Sequence, residues 1–400
     1  MIMSTKNVPP SGGRGIKNPI YIASTASISP LGEDHKEIWE AYKSNHHFIQ
    51  KYDFEGEEAF AAFLPEKLSA EIEKLRTEST HYRKLDLSVL FAIYTSRQAI
   101  KRAGWESEKS IGINIGSSRG ATGLFEKFHA EFIKNRVAST QASPATTLGN
   151  ISSWVGQDLE NDGVHFSHSV TCSTGLHSIL NAVAWLQSGL AEKFIAGGSE
   201  AALTPFTIAQ MKALKTYAIE DLAYPCQALN LDKYRNSMVL GEGAGLLCLE
   251  TSFSSKALAK ITGIGYSAEK LKHSVSISED GKCIQNAMKM AMGELDPTEV
   301  DAVVMHAPGT IKGDLGEVNA IKAVFGENLP AMTSNKWKIG HTFATSGILN
   351  LELAMLMLKH QEFVSVPFSD ISKKPMRLQH ILVNAVGFGG NAVSILISKP

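Results

Sequence analysis

The sequence predicts a layered α/β protein made of two similar halves, on two observations. Short β-branched runs alternate with longer amphipathic stretches, the pattern of buried strands covered by helices. A glycine turn followed by an apolar strand also occurs twice, in LGEGAGLLCLE from Leu240 and in VGFGGNAVSILIS from Val386.

Taken in order, residues 1–18 are polar and rich in Gly and Pro, and read as a disordered tail without the apolar centre of a signal peptide. The fold is expected to begin at Pro19. Strands are predicted at IGINIG from Ile111, FIAGG from Phe194 and VDAVVMH from Val300. A helix should follow Cys172, where Leu176, Ile179, Leu180 and Val183 recur at helical spacing. Another should follow His341, carrying Leu349, Leu353, Leu356 and Leu358 as far as His360. Ahead of each glycine-turn strand lies a strand ending in a reactive type of residue among small turn residues, SVTCSTG and VVMHAPGT. The predicted halves are 19–250 and 251–400, with the chemistry at related strand ends facing each other.

A chain of 400 residues with 44% hydrophobic content must bury one extended core or two fused ones. Lys and Arg total 39 against 40 Asp and Glu, which gives no indication of nucleic acid or an anionic membrane as the main partner. Any anionic partner must be met by a local patch. The four cysteines form no CxxC pair and no disulfide framework, so a reducing cytoplasm fits. No apolar run approaches the roughly 18 residues of a membrane helix.

In HFSHSVTCSTGLHSILNAVAW a β-like run closes on Cys172, small residues turn sharply and a helix begins at once. That setting points the sulfur at a helix N-terminus, where the dipole and free N–H groups favour thiolate. Cys172 is therefore either a nucleophile or a small buried hydrophobe. His306 ends an apolar strand, and His341 follows glycine ahead of an apolar helix. Each alone is compatible with a structural histidine. Together with a nucleophilic cysteine they would form an acyl-transfer and carbanion-stabilising site. His165 and His168 flank the cysteine segment with HxxH spacing, which in a strand sets them on opposite faces, and they read as structural.

GEGAG lacks the spacing and context of a dinucleotide fingerprint, and neither GxxxxGK[ST] nor HExxH occurs. GGSEA from Gly197 is not the GxSxG of a serine hydrolase. No metal requirement is expected.

From Pro19 to Ser398 the sequence resembles the β-ketoacyl-[acyl-carrier-protein] synthases. The pieces that carry the resemblance stand in family order: IASTASISPLG, TCSTG, IAGGSEAALTP, DKYRNSMVLGEGAG, HAPGTIKGDLGE, SNKWKIGH and NAVGFGGN. The resemblance implies a thiolase-like fold of two duplicated β/α halves in an α-β-α-β-α core, a homodimer or heterodimer, and a Cys-His-His acyltransferase site with no cofactor beyond carrier-bound phosphopantetheine. By that resemblance Cys172 takes an acyl group from an acyl carrier protein. Malonyl on a second carrier then loses carbon dioxide, and its enolate attacks the acyl-cysteine. His306 and His341 would steady the developing oxyanion, the N–H groups of Cys172 and Phe388 would form the oxyanion hole, and Phe388 would gate the acyl pocket. Lys336 and Glu317 match the family's supporting ion pair, Thr310 a contact to the phosphopantetheine arm, and Arg83 with Lys84 a basic pair near the pocket mouth that docks the carrier.

Departures are also visible. The usual HGTGT reads HAPGT, so Pro308 replaces a threonine; GAAG reads ATSG, RPFD reads LNLD from Leu229, and RDG reads RNS at Arg235. Arg119 stands where many relatives line the acyl pocket with an apolar residue, and a charge there is costly unless solvated or paired. Fatty-acid synthesis and a specialised polyketide or aryl-polyene-type pathway are both open. A non-catalytic chain-length-factor subunit would lack the cysteine, and a thiolase acting on coenzyme A esters would carry a second cysteine near the C-terminus; no cysteine follows Cys283.

Overall fold

The structure, a computed structural model, describes residues 16–270, 277–369, 371 and 374–400. The expected tail at 1–18 lies outside the described residues except for 16–18. Thirteen strands occur among the described residues: β1 (Ile20–Ile28), β2 (Gln50–Phe54), β3 (Glu57–Ala62), β4 (Gly112–Gly116), β5 (His165–Phe166), β6 (Lys193–Glu200), β7 (Leu240–Gly241), β8 (Gly243–Glu250), β9 (Ala259–Ala268), β10 (Ala302–Val304), β11 (Ala331–Thr333), β12 (His380–Gly387) and β13 (Asn391–Ser398). Ten form one mixed ladder in the order β11-β10-β12-β13-β9-β1-β8-β6-β4-β5, and β2, β3 and β7 form a small second sheet.

The ladder is a topological repeat. Outward from its middle, the N-terminal five strands run β1, β8, β6, β4, β5, which is first, fifth, fourth, second and third in sequence. The C-terminal five run β9, β13, β12, β10, β11, which is the same permutation. β1 and β9 join the halves, with Ile20 opposite Ile261 and Ile22 opposite Ala259.

Helices complete the layers. Helix Leu87–Ala103 packs on β1, β8 and β6, outside the N-terminal half, and helix Lys282–Met292 packs on β9 and β13, outside the C-terminal half. Between the halves lie helix Thr174–Ser188 and helix Ser346–His360, which touch each other and strands of both halves. This is the α-β-α-β-α order. The central helices begin directly after Cys172 and shortly after His341, so burying their apolar faces draws both residues to the same layer. Leu349, Leu353, Leu356 and Leu358 are all buried, each contributing about 1.5–3 kcal/mol of transfer free energy. Strands covered on both sides read as near-continuous apolar runs, as β13 does. Among the described residues no helix is long and apolar enough to cross a membrane.

Candidate active site

Cys172 is buried in an apolar wall with Phe54, Ala202, Ile208, Met211, Leu240 and Phe343. The helix behind it starts at Thr174 with Ser173 as its cap. The expected thiolate is not what this setting favours. Burial, reinforced by the nearby carboxylate of Glu200, pushes the Cys172 thiol up to about 12, against a smaller opposing effect of the Lys336 charge. Loss of hydration outweighs the helix dipole.

His306 and His341 meet edge to face, with ring centroids 5.2 Å apart and planes at 85°. Both are buried, and burial first, then the charge of Lys336, holds each imidazole well below its ordinary range, so both are neutral at pH 7. His341 is fixed through its backbone: its N–H donates to Val239 O at 2.7 Å and its carbonyl accepts from Gly241 N at 3.1 Å. This approach needs glycine on both sides. A Cβ on Gly340 would lie 2.8 Å from Leu240 C, and one on Gly241 would lie 2.2 Å from Ile339 O. Gly241, the first glycine of GEGAG, and Gly340 thus seat a histidine.

Glu317 accepts the backbone N–H of His306 at 3.0 Å, that of Ala307 at 2.8 Å, and Asn384 Nδ2 at 3.1 Å. The expected ion pair with Lys336 is not formed. Lys336 Nζ is buried without a hydrogen-bond partner among the described residues. Burial lowers its pKa to about 8, with the charge of Glu317 acting in the opposite sense. Glu317 instead accepts from the peptide N–H groups of His306 and Ala307, which have no other acceptor among the described residues.

Backbone strain marks the same places. Thr171, Ala307 and Phe343 have φ of 49°, 22° and 46°, the left-handed side that non-glycine residues avoid. They stand one residue before Cys172, one after His306 and two after His341. Thr171 Oγ1 donates to Phe388 O at 3.2 Å, tying the cysteine turn to the Gly387–Gly390 turn, and Phe388 itself is 37% exposed.

Two family descriptions match this chain: the beta-ketoacyl synthase N-terminal domain over residues 17–253 and the C-terminal domain over residues 258–367. The chain belongs to the beta-ketoacyl synthase family. It is 27% identical over 408 residues to the 3-oxoacyl-[acyl-carrier-protein] synthase 2 of Staphylococcus aureus (strain COL), covering 95% of this chain and 98% of that one. The fold is similar to the ishigamide ketosynthase/chain length factor, with TM-score 0.84 at 18% identity over 96% of this chain and 99% of that one. It is also similar to a chain of the complex of a type II PKS acyl-carrier protein with its ketosynthase bound to the hexaketide, with TM-score 0.81 at 19% identity over 96% and 100% of the two chains.

In this beta-ketoacyl synthase relative, several residues lie beyond what the sequence reading singled out. Glu200, at the end of β6, is fully buried and accepts from Ser117 Oγ at 2.8 Å, Ser118 N at 2.8 Å, Arg119 N at 3.2 Å and Ala344 N at 3.3 Å. It clamps segments from both halves beside Cys172. Asp314 forms a buried ion pair with Lys233 at 2.7 Å and accepts from Gly309 N and Leu229 N, joining the LNLDK and HAPGT segments. Thr310 caps helix Ile311–Phe325, accepting from Gly313 N at 3.2 Å. Arg119 is half-buried beside Phe343, whereas Arg83 and Lys84 lie on an exposed turn at Tyr82–Lys84. Among the described residues neither Arg83 nor Lys84 makes a hydrogen bond or ion pair, and neither touches the cysteine–histidine cluster.

Proposed function

We propose that this chain catalyses decarboxylative condensation of an acyl thioester with malonyl on an acyl carrier protein, through an acyl group on Cys172. In the first half-reaction Cys172 Sγ attacks the thioester carbonyl, the carrier's C–S bond breaks, and the cysteine proton leaves with the carrier thiol. In the second, the malonyl C–C bond breaks to release carbon dioxide, and the electron pair left behind forms an enolate. The enolate carbon attacks the acyl carbonyl, the bond to Cys172 breaks, and the sulfur regains a proton.

One observation carries this reading: two neutral imidazoles lie edge to face, the ring of Phe343 joins His341 to the wall of the buried Cys172, and all three groups lie within the field of Lys336. A neutral imidazole donates one N–H and suits an enolate oxygen as charge develops on it. The N–H groups of Cys172 and Phe388 serve as oxyanion hole in the same proposal, Phe388 as gate, and Thr310 as contact for the phosphopantetheine arm. The division into 19–250, carrying the nucleophile, and 251–400, carrying both histidines, is supported by the repeated strand order. A carrier protein as donor and a synthase-like subunit as partner are supported by the two solved relatives named above.

Mass spectrometry after incubation with acyl-carrier thioesters tests the proposal. An acyl adduct on Cys172, absent from Cys172→Ala, is expected. His306→Ala and His341→Ala should retain acylation but release carbon dioxide from malonyl carrier about 10²-fold more slowly. An adduct on another residue, or wild-type carbon dioxide release from both histidine variants, would overturn it.

A further inference from the structure

Arg119, in the N-terminal half, stands over Phe343 in the apolar wall of Cys172. Ser118 Oγ donates to Thr171 O at 2.6 Å, which fastens the Arg119 turn to the residue before the cysteine. The guanidinium carbon stands 5.8 Å above the ring of Phe343, and that ring is 5.5 Å from His341. One end of the guanidinium, Nη2, donates to Gln210 Oε1, on the same helix as Ile208 and Met211 of the wall. Arg119 therefore spans the wall from a β4 loop to helix Pro205–Ala213, and its charge reaches the cysteine.

Its pairing is incomplete. Gln210 is neutral, so it orients the guanidinium without cancelling its charge. The nearby acid, Glu200, takes the main-chain N–H of Arg119 and not its side chain. Among the described residues Arg119 Nε is buried with no partner. A buried donor left unmade is costly, and an arginine fork fits an oxygen acceptor, a carboxylate best of all.

We propose that Arg119 makes the acyl site selective for chains that carry an oxygen acceptor, a carboxylate above all, over saturated chains of the same length. This rests on the reading of Cys172 as the acylated residue. Chains with a carboxylate or a ketone share the chemistry that Nε and the free edge of the fork recognise; a saturated chain would leave both unpaired against the wall.

The test compares acylation of Cys172 by three pantetheine thioesters of equal length: octanoyl, suberyl, and an octanoyl chain with a ketone next to its terminal carbon. Wild-type protein should favour suberyl over octanoyl by about 10-fold or more, with the ketone between them. The suberyl-to-octanoyl ratio should fall about 10-fold in Arg119→Gln and be largely kept in Arg119→Lys, with thermal melting showing that both fold. A ratio unchanged by Arg119→Gln overturns the inference, as does a wild-type preference for octanoyl. If no thioester acylates Cys172, the reading of the site falls, and the inference is read from dissociation constants of the non-transferable amide analogues. Tighter suberyl-amide binding that is lost in Arg119→Gln supports it, and equal binding of the suberyl and octanoyl amides overturns it.

Discussion

The carboxylate of Glu317 holds the backbone N–H of His306 at 3.0 Å and that of its neighbour Ala307 at 2.8 Å. Glu317→Ala leaves these two donors buried without an acceptor among the described residues, each at about 1–3 kcal/mol, and leaves Asn384 Nδ2 only the weak acceptor Met288 Sδ at 3.5 Å. A stability loss of about 3 kcal/mol or more by urea unfolding is expected, with carbon dioxide release falling further than Cys172 acylation. An unchanged urea midpoint would show that this turn is held by something else.

Because burial raises the Cys172 thiol to about 12, the resting protein carries a thiol at neutral pH. Its alkylation by iodoacetamide should therefore climb about 10-fold per pH unit from 7 to 10 without a plateau, since only the thiolate reacts. A plateau reached below pH 8 would mean that the helix N-terminus prevails over burial.

Neutral histidines give stability a definite pH dependence. His306 and His341 remain unprotonated in the fold as pH drops through 6, while the unfolded chain takes up a proton at each near 6.5. The unfolded state then binds more protons, so stability present above pH 6.5 is lost below it, by at most about 1.4 kcal/mol per pH unit per histidine. His35 and His168, lowered by burial to about 4, act in the same direction. Glu242 and Glu352, raised by burial to about 7, act in the opposite one, so the comparison must be between variants. Urea unfolding at pH 7.5 and 5.5 should show His341→Asn losing less stability than wild type on acidification. Equal losses would mean that His341 is charged in the fold.

The exposed turn at Arg83 and Lys84 offers two cations with no partner among the described residues. Reversing both to Glu should raise the apparent KM for carrier-bound substrate and weaken its salt dependence, since screening acts on exposed charges. Turnover of a small acyl-pantetheine should stay almost constant. Equal loss with both substrates would indicate misfolding, and no loss with either would remove the pair from carrier docking.

The two central helices and the strands at 111, 194 and 300 were legible because apolar periodicity is a local property: Leu176, Ile179 and Val183 are buried, as are Leu349, Leu353 and Leu356, whereas the β-like run expected to close on Cys172 is a strand only at His165–Phe166 and reaches the cysteine as a turn. The site was legible in its residue types and not in its electrostatics. Cys172 looked activated because the sequence exposes the helix beside it, while the burial that raises its pKa comes from Phe54, Leu240 and Phe343, distant in the chain. Glu200 passed unnoticed because a carboxylate closing an apolar run resembles a strand end at the surface. Its partners lie at 117–119 and at 344, and only the fold brings them together. Glu317 feels the charge of Lys336 as expected but makes its hydrogen bonds elsewhere, because sequence lists side chains and not the peptide N–H groups that compete for them.

The β1–β9 seam determines how the molecule comes apart. Main-chain hydrogen bonds cross from one half to the other there, and the two central helices are each other's cover. Neither half can leave without baring a sheet edge and the apolar face of a central helix, so the two exposures come together. The cysteine stands on one side of that seam and both histidines on the other, so parting the halves would separate the nucleophile from its imidazoles.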